Sequence, residues 1–357
     1  MDIAFRVDAS AHIGSGHVMR CLNLARALRD KGASSRFVCR PHEGNLISLV
    51  EQSAFPVASL PAPAAGCGPG SYEDWVGARP EQDAKECIDA LGGRKPDWLV
   101  ADHYGLDAQW ERRMRPHVGR IMPIDDLANR LHECDLLLDQ NFHTEGARRY
   151  AGLVSTLCRL LIGPRFAILG PEYAPARRTA RPRRDKVASV LVYFGDSDLR
   201  NATAFALDAM SLTPLSAAKV DVVVGSGYPH LASLARQLEN WPQATLHRAL
   251  PHLADLMVDA DLAIGAGGTT TWERLCVGVP SVVVSVAANQ RASCESLREA
   301  GLIEYAGDID SIDRDHLRWT LESFLASADR LETLSERGRA MVDGLGAARV
   351  ADAMLTA

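Results

Sequence analysis

Hydrophobic and polar positions in the first half of the chain switch repeatedly between two periods. Ile3–Asp8 (IAFRVD) is a short β-rich run. From His17 to Lys31, apolar residues recur at Val18, Leu22, Ala25 and Leu28, the spacing of one helix face, and Gly32 follows as a stop. Ser35–Arg40 predicts a strand, Asn45–Gln52 a short helix and Phe55–Leu60 a third strand. The run PAPAAGCGPG, dense in proline and glycine, predicts a loop. Pro80–Leu91 opens with proline and acids, which suits a helix start. Asp97–Tyr104, Gly119–Asp126 and Cys134–Asn141 read as mostly buried strands. Such alternation predicts a parallel sheet covered by helices on both faces.

The stretch Ala174–Lys186 (APARRTARPRRDK) interrupts the pattern with basic residues and no apolar period, and reads as a solvated linker. Beyond it the alternation restarts. Strands are expected at Ser189–Asp196, Val220–Gly227, Ala244–Leu250, Asp261–Gly268 and Ser281–Val286, with a helix from about Asn201 and a helical end from Asp313 to Leu355. The prediction is an α/β protein of two Rossmann-like domains, 1–173 and 187–357, joined by the basic linker 174–186 and enclosing a cleft. In open α/β sheets ligands bind beyond the carboxyl ends of the strands, so the chemistry is expected in strand-end loops.

Composition narrows the function classes. A length of 357 residues suits two domains, and a net charge of −6 argues against nucleic acid as a partner. No stretch reaches the roughly 18 uncharged apolar residues of a membrane span. The start MDIAFRVDAS lacks a basic region followed by an apolar run, so a secretory leader is not expected. The eight cysteines, Cys67 among them, are scattered without a C-x-x-C pair, so no zinc or redox centre is expected and a reducing cytoplasm fits.

Two glycine turns carry candidate chemistry. In GAGGTTTWERL, Gly265, Gly267 and Gly268 permit close backbone approach and positive φ, Thr269 or Thr270 is placed to cap a helix, and Glu273 lies one turn in, within reach of a ribose hydroxyl. A helix N-terminus of this kind suits phosphate. The bland alternative is turn geometry with Glu273 as a partner of the helix dipole. Neither GAGG nor the earlier GSGH matches G-x-G-x-x-G, and no G-x-x-x-x-G-K-[ST] occurs, which disfavours a nicotinamide enzyme and an ordinary NTPase. In FGDSDLRNAT, Asp198 or Asn201 suits a helix cap. Asp125 and Asp126 are adjacent, so they point to opposite faces of a strand, and no metal is expected.

The second turn, Gly14-Ser15-Gly16-His17, sets a histidine at the start of a helix. The positive end of the dipole disfavours imidazolium, leaving a neutral ring able to accept a proton as a general base. Gly14 and Gly16 would give clearance for a sugar or phosphate, and Asp8 and Ser10 are placed to orient the ring. The bland alternative is a histidine that only finishes the turn.

Five blocks in order, FRVDASAHIGSGHVMRCLNLARAL, ADHYGLDAQWE, IDDLANRLHECDLLLDQN, VYFGDSDLRNAT and GAGGTTTWERLCVGVPSVVVSVAANQ, together resemble the PseG family. These are UDP-2,4-diacetamido-2,4,6-trideoxy-β-L-altropyranose hydrolases of pseudaminic-acid biosynthesis. The resemblance implies a GT-B-like fold and release of UDP by water with inversion at the anomeric carbon, without metal or other cofactor. It implies His17 as general base and Glu273 as the residue that holds UDP; Asp8, from its place at the strand end, is expected to support His17 in catalysis. Asn289 and Gln290 match the family's NQ pair, and Tyr104 of the DHY block would face the sugar. Gly14, Gly16, Asn141, Asn201, Gly267, Gly268 and Thr269 are the further residues expected to contact the substrate. Many relatives read G-G-S-D-P-x-N-x-T where this chain has Asp196 for the second glycine and Leu199 for the proline, a departure that bears on sugar or nucleotide preference. The rival readings are a glycosyltransferase of the same architecture, an epimerase variant and a non-catalytic nucleotide-sugar-binding protein.

Overall fold

The computed structural model describes residues 1–64, 70–181 and 186–357. Contacts divide the chain into two compact units, one of Met1–Asn141, Glu145–Ile168 and Gly346–Ala357, the other of Phe142–Thr144 and Leu169–Leu345.

The first unit contains strands β1 (Asp2–Val7), β2 (Ser34–Cys39), β3 (Val57–Ser59), β4 (Trp98–Asp102) and β5 (Arg120–Pro123), paired in parallel in the order β3-β2-β1-β4-β5. A separate parallel pair follows, β6 (Leu136–Asp139) with β7 (Arg159–Ile162). The sequence pattern did not predict β7. Helices α1 (Gly16–Asp30), α2 (Ile47–Gln52), α3 (Pro80–Leu91) and α4 (Ala108–Met114) complete the crossovers.

Side-chain alternation sorts β1 onto two cores. Ile3, Phe5 and Val7 face Val18, Leu22, Ala25 and Leu28 of α1. Ala4 faces Ala84 and Cys87 of α3 on the other side. Arg6 follows Ala4 on that second face, where its guanidinium takes Asp83 of α3 in two hydrogen bonds, of 3.2 and 2.7 Å.

The second unit opens with α5 (Tyr173–Thr179) and builds one parallel sheet in the order β10-β9-β8-β11-β12-β13. Its strands are β8 (Ser189–Tyr193), β9 (Lys219–Val224), β10 (Ala244–Arg248), β11 (Leu262–Ala266), β12 (Ser281–Ser285) and β13 (Glu304–Asp308), the last unforeseen in the sequence. Its further helices are α6 (Ala202–Met210), α7 (Leu231–Leu238), α8 (Ala254–Asp259), α9 (Thr270–Val277), α10 (Ala288–Glu299), α11 (Arg314–Leu325) and α12 (Ala328–Met341).

The helical end is thus three helices, and the last, α13 (Gly346–Leu355), belongs to the first unit. Ala347, Val350, Ala351 and Met354 join the α1 core, and Trp98 Nε1 donates to the Met354 carbonyl at 3.1 Å. The expected boundary, with everything after 187 in one domain, is corrected at this point, because the apolar face of α13 is complementary to α1.

The linker reading also changes. Pro175 sits in the first turn of α5, where proline is tolerated. Tyr173 and Ala176, three positions apart, bury one face of that helix. Arg177 donates to the carbonyls of Cys276 and Val342, at 3.1 and 3.3 Å, so the basic stretch is docked on the second unit. Residues 182–185 of the expected linker lie outside the described residues, as do 65–69 of the proline-rich loop with Cys67.

Candidate functional site

Both sheets reverse their strand order once, between β1 and β4 in the first unit and between β8 and β11 in the second. Loops leaving two strands at such a point diverge and open a crevice. The predicted residues cluster at these two places.

In the first unit, the loop after β1 makes a tight turn. Ser10 pairs with Gly14, whose φ of +81° calls for glycine. A Cβ built on Gly14 would meet nothing within 4 Å, so backbone conformation, not clearance, decides the residue. Helix α1 then starts at Gly16 and presents His17 in its first turn.

The residue that orients His17 is Asp102, at the end of β4. His17 Nδ1 lies 2.6 Å from Asp102 Oδ1. Arg20, three residues along the same helix face, grips that carboxylate with Nε at 2.6 Å and Nη2 at 2.7 Å. Burial alone would raise the Asp102 carboxyl. Arg20 and then His17 outweigh it and hold the group well below the usual carboxylate range. Arg20 Nη2 also comes within 3.2 Å of Nδ1, but both donors share Asp102 as acceptor. Nδ1–H therefore donates to the carboxylate, an arrangement in which a neutral ring carries its lone pair on Nε2.

Asp8 does not take this part, and the register explains why. Val7 pairs with Asp102 across β1 and β4, which puts Asp102 on the α1 face of the sheet. Asp8 continues the opposite alternation, alongside Arg6. It is buried at 2.7 Å from Arg6 Nη1 and accepts the Arg40 backbone N–H at 2.7 Å. Burial raises its carboxyl, but Arg6 overrides this and keeps it far below the ordinary range. Asp8 belongs to an ion network joining β1 and β2 to Asp83 of α3. Ser10 is likewise committed elsewhere, its hydroxyl accepting from the backbone of His12 and Ile13.

Two further predicted residues converge on His17. The Tyr104 ring stands edge-on to the imidazole, with centroids 4.7 Å apart. Its hydroxyl donates to Asp126 Oδ2 at 2.7 Å, and Asn141 Nδ2 donates to Asp126 Oδ1 at 2.8 Å. Arg20 closes the group through Asp126, at 2.9 Å. Asp125, beyond the end of β5, pairs instead with Arg130 at 2.7 Å, so the two adjacent acids take different partners. Arg20, Asp102 and Asp126 were not predicted as members of the site. The available signals were the i, i+3 spacing of His17 and Arg20 and the acids closing two strands.

In the second unit, β11 leads into GAGG and α9. Gly265, Gly267 and Gly268 do not have positive φ, contrary to expectation. A Cβ on Gly267 would strike Cys294 Sγ of α10, so this glycine is required by packing. Gly268 and Gln290 are neighbours, and Gln290 Oε1 accepts the Val286 N–H at 3.0 Å. Asn289, beside it in the first turn of α10, is exposed. Thr269 occupies the cap position of α9, yet its side chain makes no capping hydrogen bond. Arg274 fastens the turn instead, donating to the Ala266 carbonyl at 2.8 Å and to Thr271 Oγ1 at 2.9 Å.

Glu273 lies in the first turn of α9 and is half-buried. Burial pushes its carboxyl up to about 7, against a hydrogen bond with Tyr173, while Glu172 and Asp196 add to the rise. The departure Asp196 is held by Tyr193, whose hydroxyl donates to it at 3.3 Å, and Leu199 is exposed. Asp198, not Asn201, caps α6, accepting from the N–H groups of Ala202 and Thr203 at 2.8 and 2.9 Å. Asn201 adopts φ +54° and accepts from the Tyr228 hydroxyl.

No family model matches the chain. It is similar to the spore coat polysaccharide biosynthesis protein SpsG of Bacillus subtilis, 25% identical over 355 residues that cover 98% of this chain and 96% of SpsG. It is also 25% identical over 307 residues to the UDP-2,4-diacetamido-2,4,6-trideoxy-β-L-altropyranose hydrolase of Campylobacter jejuni, covering 85% of this chain and 99% of that protein. Among solved structures, MurG of Acinetobacter baumannii superposes with a TM-score of 0.68 at 14% identity, covering 100% of this chain and 99% of that one. UGT89C1 of Arabidopsis thaliana, solved with UDP, gives 0.65 at 14% identity over 99% of each chain. With its two parallel Rossmann-like sheets, the chain has the α/β fold of the GT-B glycosyltransferases.

Proposed function

We propose that this chain processes a nucleotide sugar and, more specifically, that it hydrolyses a UDP-linked 2,4-diacetamido-2,4,6-trideoxy-hexose, the β-L-altropyranose form first. The observation that carries this reading is the His17–Asp102 pair, a ring fixed through Nδ1 by a buried carboxylate at 2.6 Å. The pair stands at the strand-order reversal of the first sheet. Nε2 of His17 takes a proton from water as the water oxygen bonds to the anomeric carbon. The bond from that carbon to the diphosphate oxygen breaks, UDP departs with the electron pair, and attack opposite the leaving group inverts the centre. Asp102 stabilises the imidazolium that forms. The second unit holds the nucleotide, with Gly267, Gly268 and Thr269 at the phosphate side and Glu273 toward the ribose. Asn289 and Gln290 lie beside the same turn. The similarity to the Campylobacter hydrolase supports this substrate class.

The test is incubation with a panel of UDP-diacetamido-trideoxy-hexoses in ¹⁸O water. The expected result is UDP release with the label on the sugar; label on UDP means attack at phosphorus and overturns the mechanism. His17→Asn should lower kcat by about 10²–10⁴-fold while UDP still binds. Unchanged turnover of the folded variant removes His17 from the role. The fold it shares with MurG favours one second reading, glycosyl transfer. Glycosylated product from added acceptors, in place of free sugar, would establish it.

A further inference from the structure

The residues just before α3 place two aromatic rings beside the candidate base. Tyr72 and Trp75 stand edge to face with centroids 4.9 Å apart. The Tyr72 ring is 5.0 Å from Tyr104, and the Trp75 ring 6.0 Å from the same residue. Tyr104 in turn meets His17. Three rings thus form one apolar surface that ends at the imidazole.

The backbone holds this surface in place. Val76, in the 3-10 turn Asp74–Val76, is fully buried. Gly105, next to Tyr104, has no room for a Cβ, which would strike the Tyr72 carbonyl oxygen and the Val76 side chain. Asp74 accepts the Ser71 N–H at 2.8 Å. Tyr72 and Trp75 nevertheless stay partly exposed. The Trp75 Nε1–H is buried and has no hydrogen-bond partner among the described residues. An unpaired buried N–H is costly and calls for an acceptor. Aromatic faces with one donor in reserve are what small-molecule subsites are made of.

We propose that Tyr72 and Trp75 form a subsite beside His17 that selects a deoxygenated, N-acylated hexose. The ring faces cover the sugar's methyl groups, and Trp75 Nε1 donates to an acyl carbonyl. This rests on the nucleotide-sugar reading above and adds the residues that choose the sugar. A hydroxyl in place of the methyl would lose its water against the rings and gain no partner.

Calorimetric binding of three probes tests the subsite: UDP, a UDP-2,4-diacetamido-2,4,6-trideoxy-hexose and UDP-N-acetylglucosamine. It is done in the His17→Asn background, where turnover is slowed by about 10²–10⁴-fold, within the time that each probe stays intact. Trp75→Ala and Tyr72→Ala should each weaken the trideoxy probe by about 10–200-fold, the range for lost apolar contacts in a specificity pocket. UDP affinity should be unchanged, and the preference over UDP-N-acetylglucosamine should close. Trp75→Phe, which keeps a ring and loses the donor, should fall between. Equal weakening of all three probes, or no weakening of the trideoxy probe, overturns the proposal. Failure of the hydrolase reading shows separately, as absence of UDP release by the unmodified protein, and leaves the binding comparison intact.

Discussion

Glu273 is a carboxyl group set where ionisation is costly. Its value of about 7, above an ordinary 4.5, means that the folded chain binds its proton more tightly than the unfolded chain. Stability should therefore fall as pH rises from about 4.5 to about 7 and level off above that. Glu273→Gln removes the term. It should raise Tm above pH 7, by on the order of 1–3 kcal/mol in stability after solvent screening, and leave it unchanged near pH 4.5. Thermal melts of both proteins across this range check the sign, and a Gln variant less stable at pH 8 contradicts it. At this scale the sequence disclosed some residues and hid others. His17 was legible because a glycine turn and a helix start are local patterns. Its partner was not, since Asp102 lies 85 positions away and becomes adjacent only through the pairing of β1 with β4. Asp8 is nearer in sequence, but strand alternation turns it to the other face. Tyr72 and Trp75 were hidden because the pattern around them is that of a loop.

Among the elements, those with strong apolar periods were readable and short ones were not. Helix α3 forms over the predicted Pro80–Leu91, while β7 and β13 lack a run long enough to stand out. The turn from β11 into α9 shows a different limit. Its glycines suggested room for a ligand, yet Gly267 is fixed by the Cys294 thiol of α10, a contact without a local signature. Gly267→Ala should destabilise the chain by about 1–3 kcal/mol through overpacking. Adding Cys294→Ala should recover part of the loss, because the two positions share one space. Denaturant melts of the two single variants and the double variant measure this coupling; strict additivity would mean that the contact does not govern the glycine.

For the whole molecule, alternation of elements sufficed to foresee two parallel α/β units, but not their exchange of α13. Deleting Gly346–Ala357 should cripple the first unit. Val350 and Met354 are fully buried against α1. Each is worth roughly 1.5–3 kcal/mol, a large share of the about 5–15 kcal/mol that holds a typical domain folded. Hydrogen exchange should show protection lost in β1–β5 and kept in β8–β13. Uniform loss in both sheets would mean that the units do not melt separately.

The placement of α13 also orders events in time. A ribosome finishes the β-strands of the first unit by Ile168, and every residue from Leu169 to Leu345 must follow before α13 is made. At about 5–20 residues per second that interval is roughly 10–40 s. During it the α1 face and Trp98 lack their cover. The unit that carries His17 is begun before the other and completed after it, so the nascent chain holds a finished second unit before the His17–Asp102 pair has its full support.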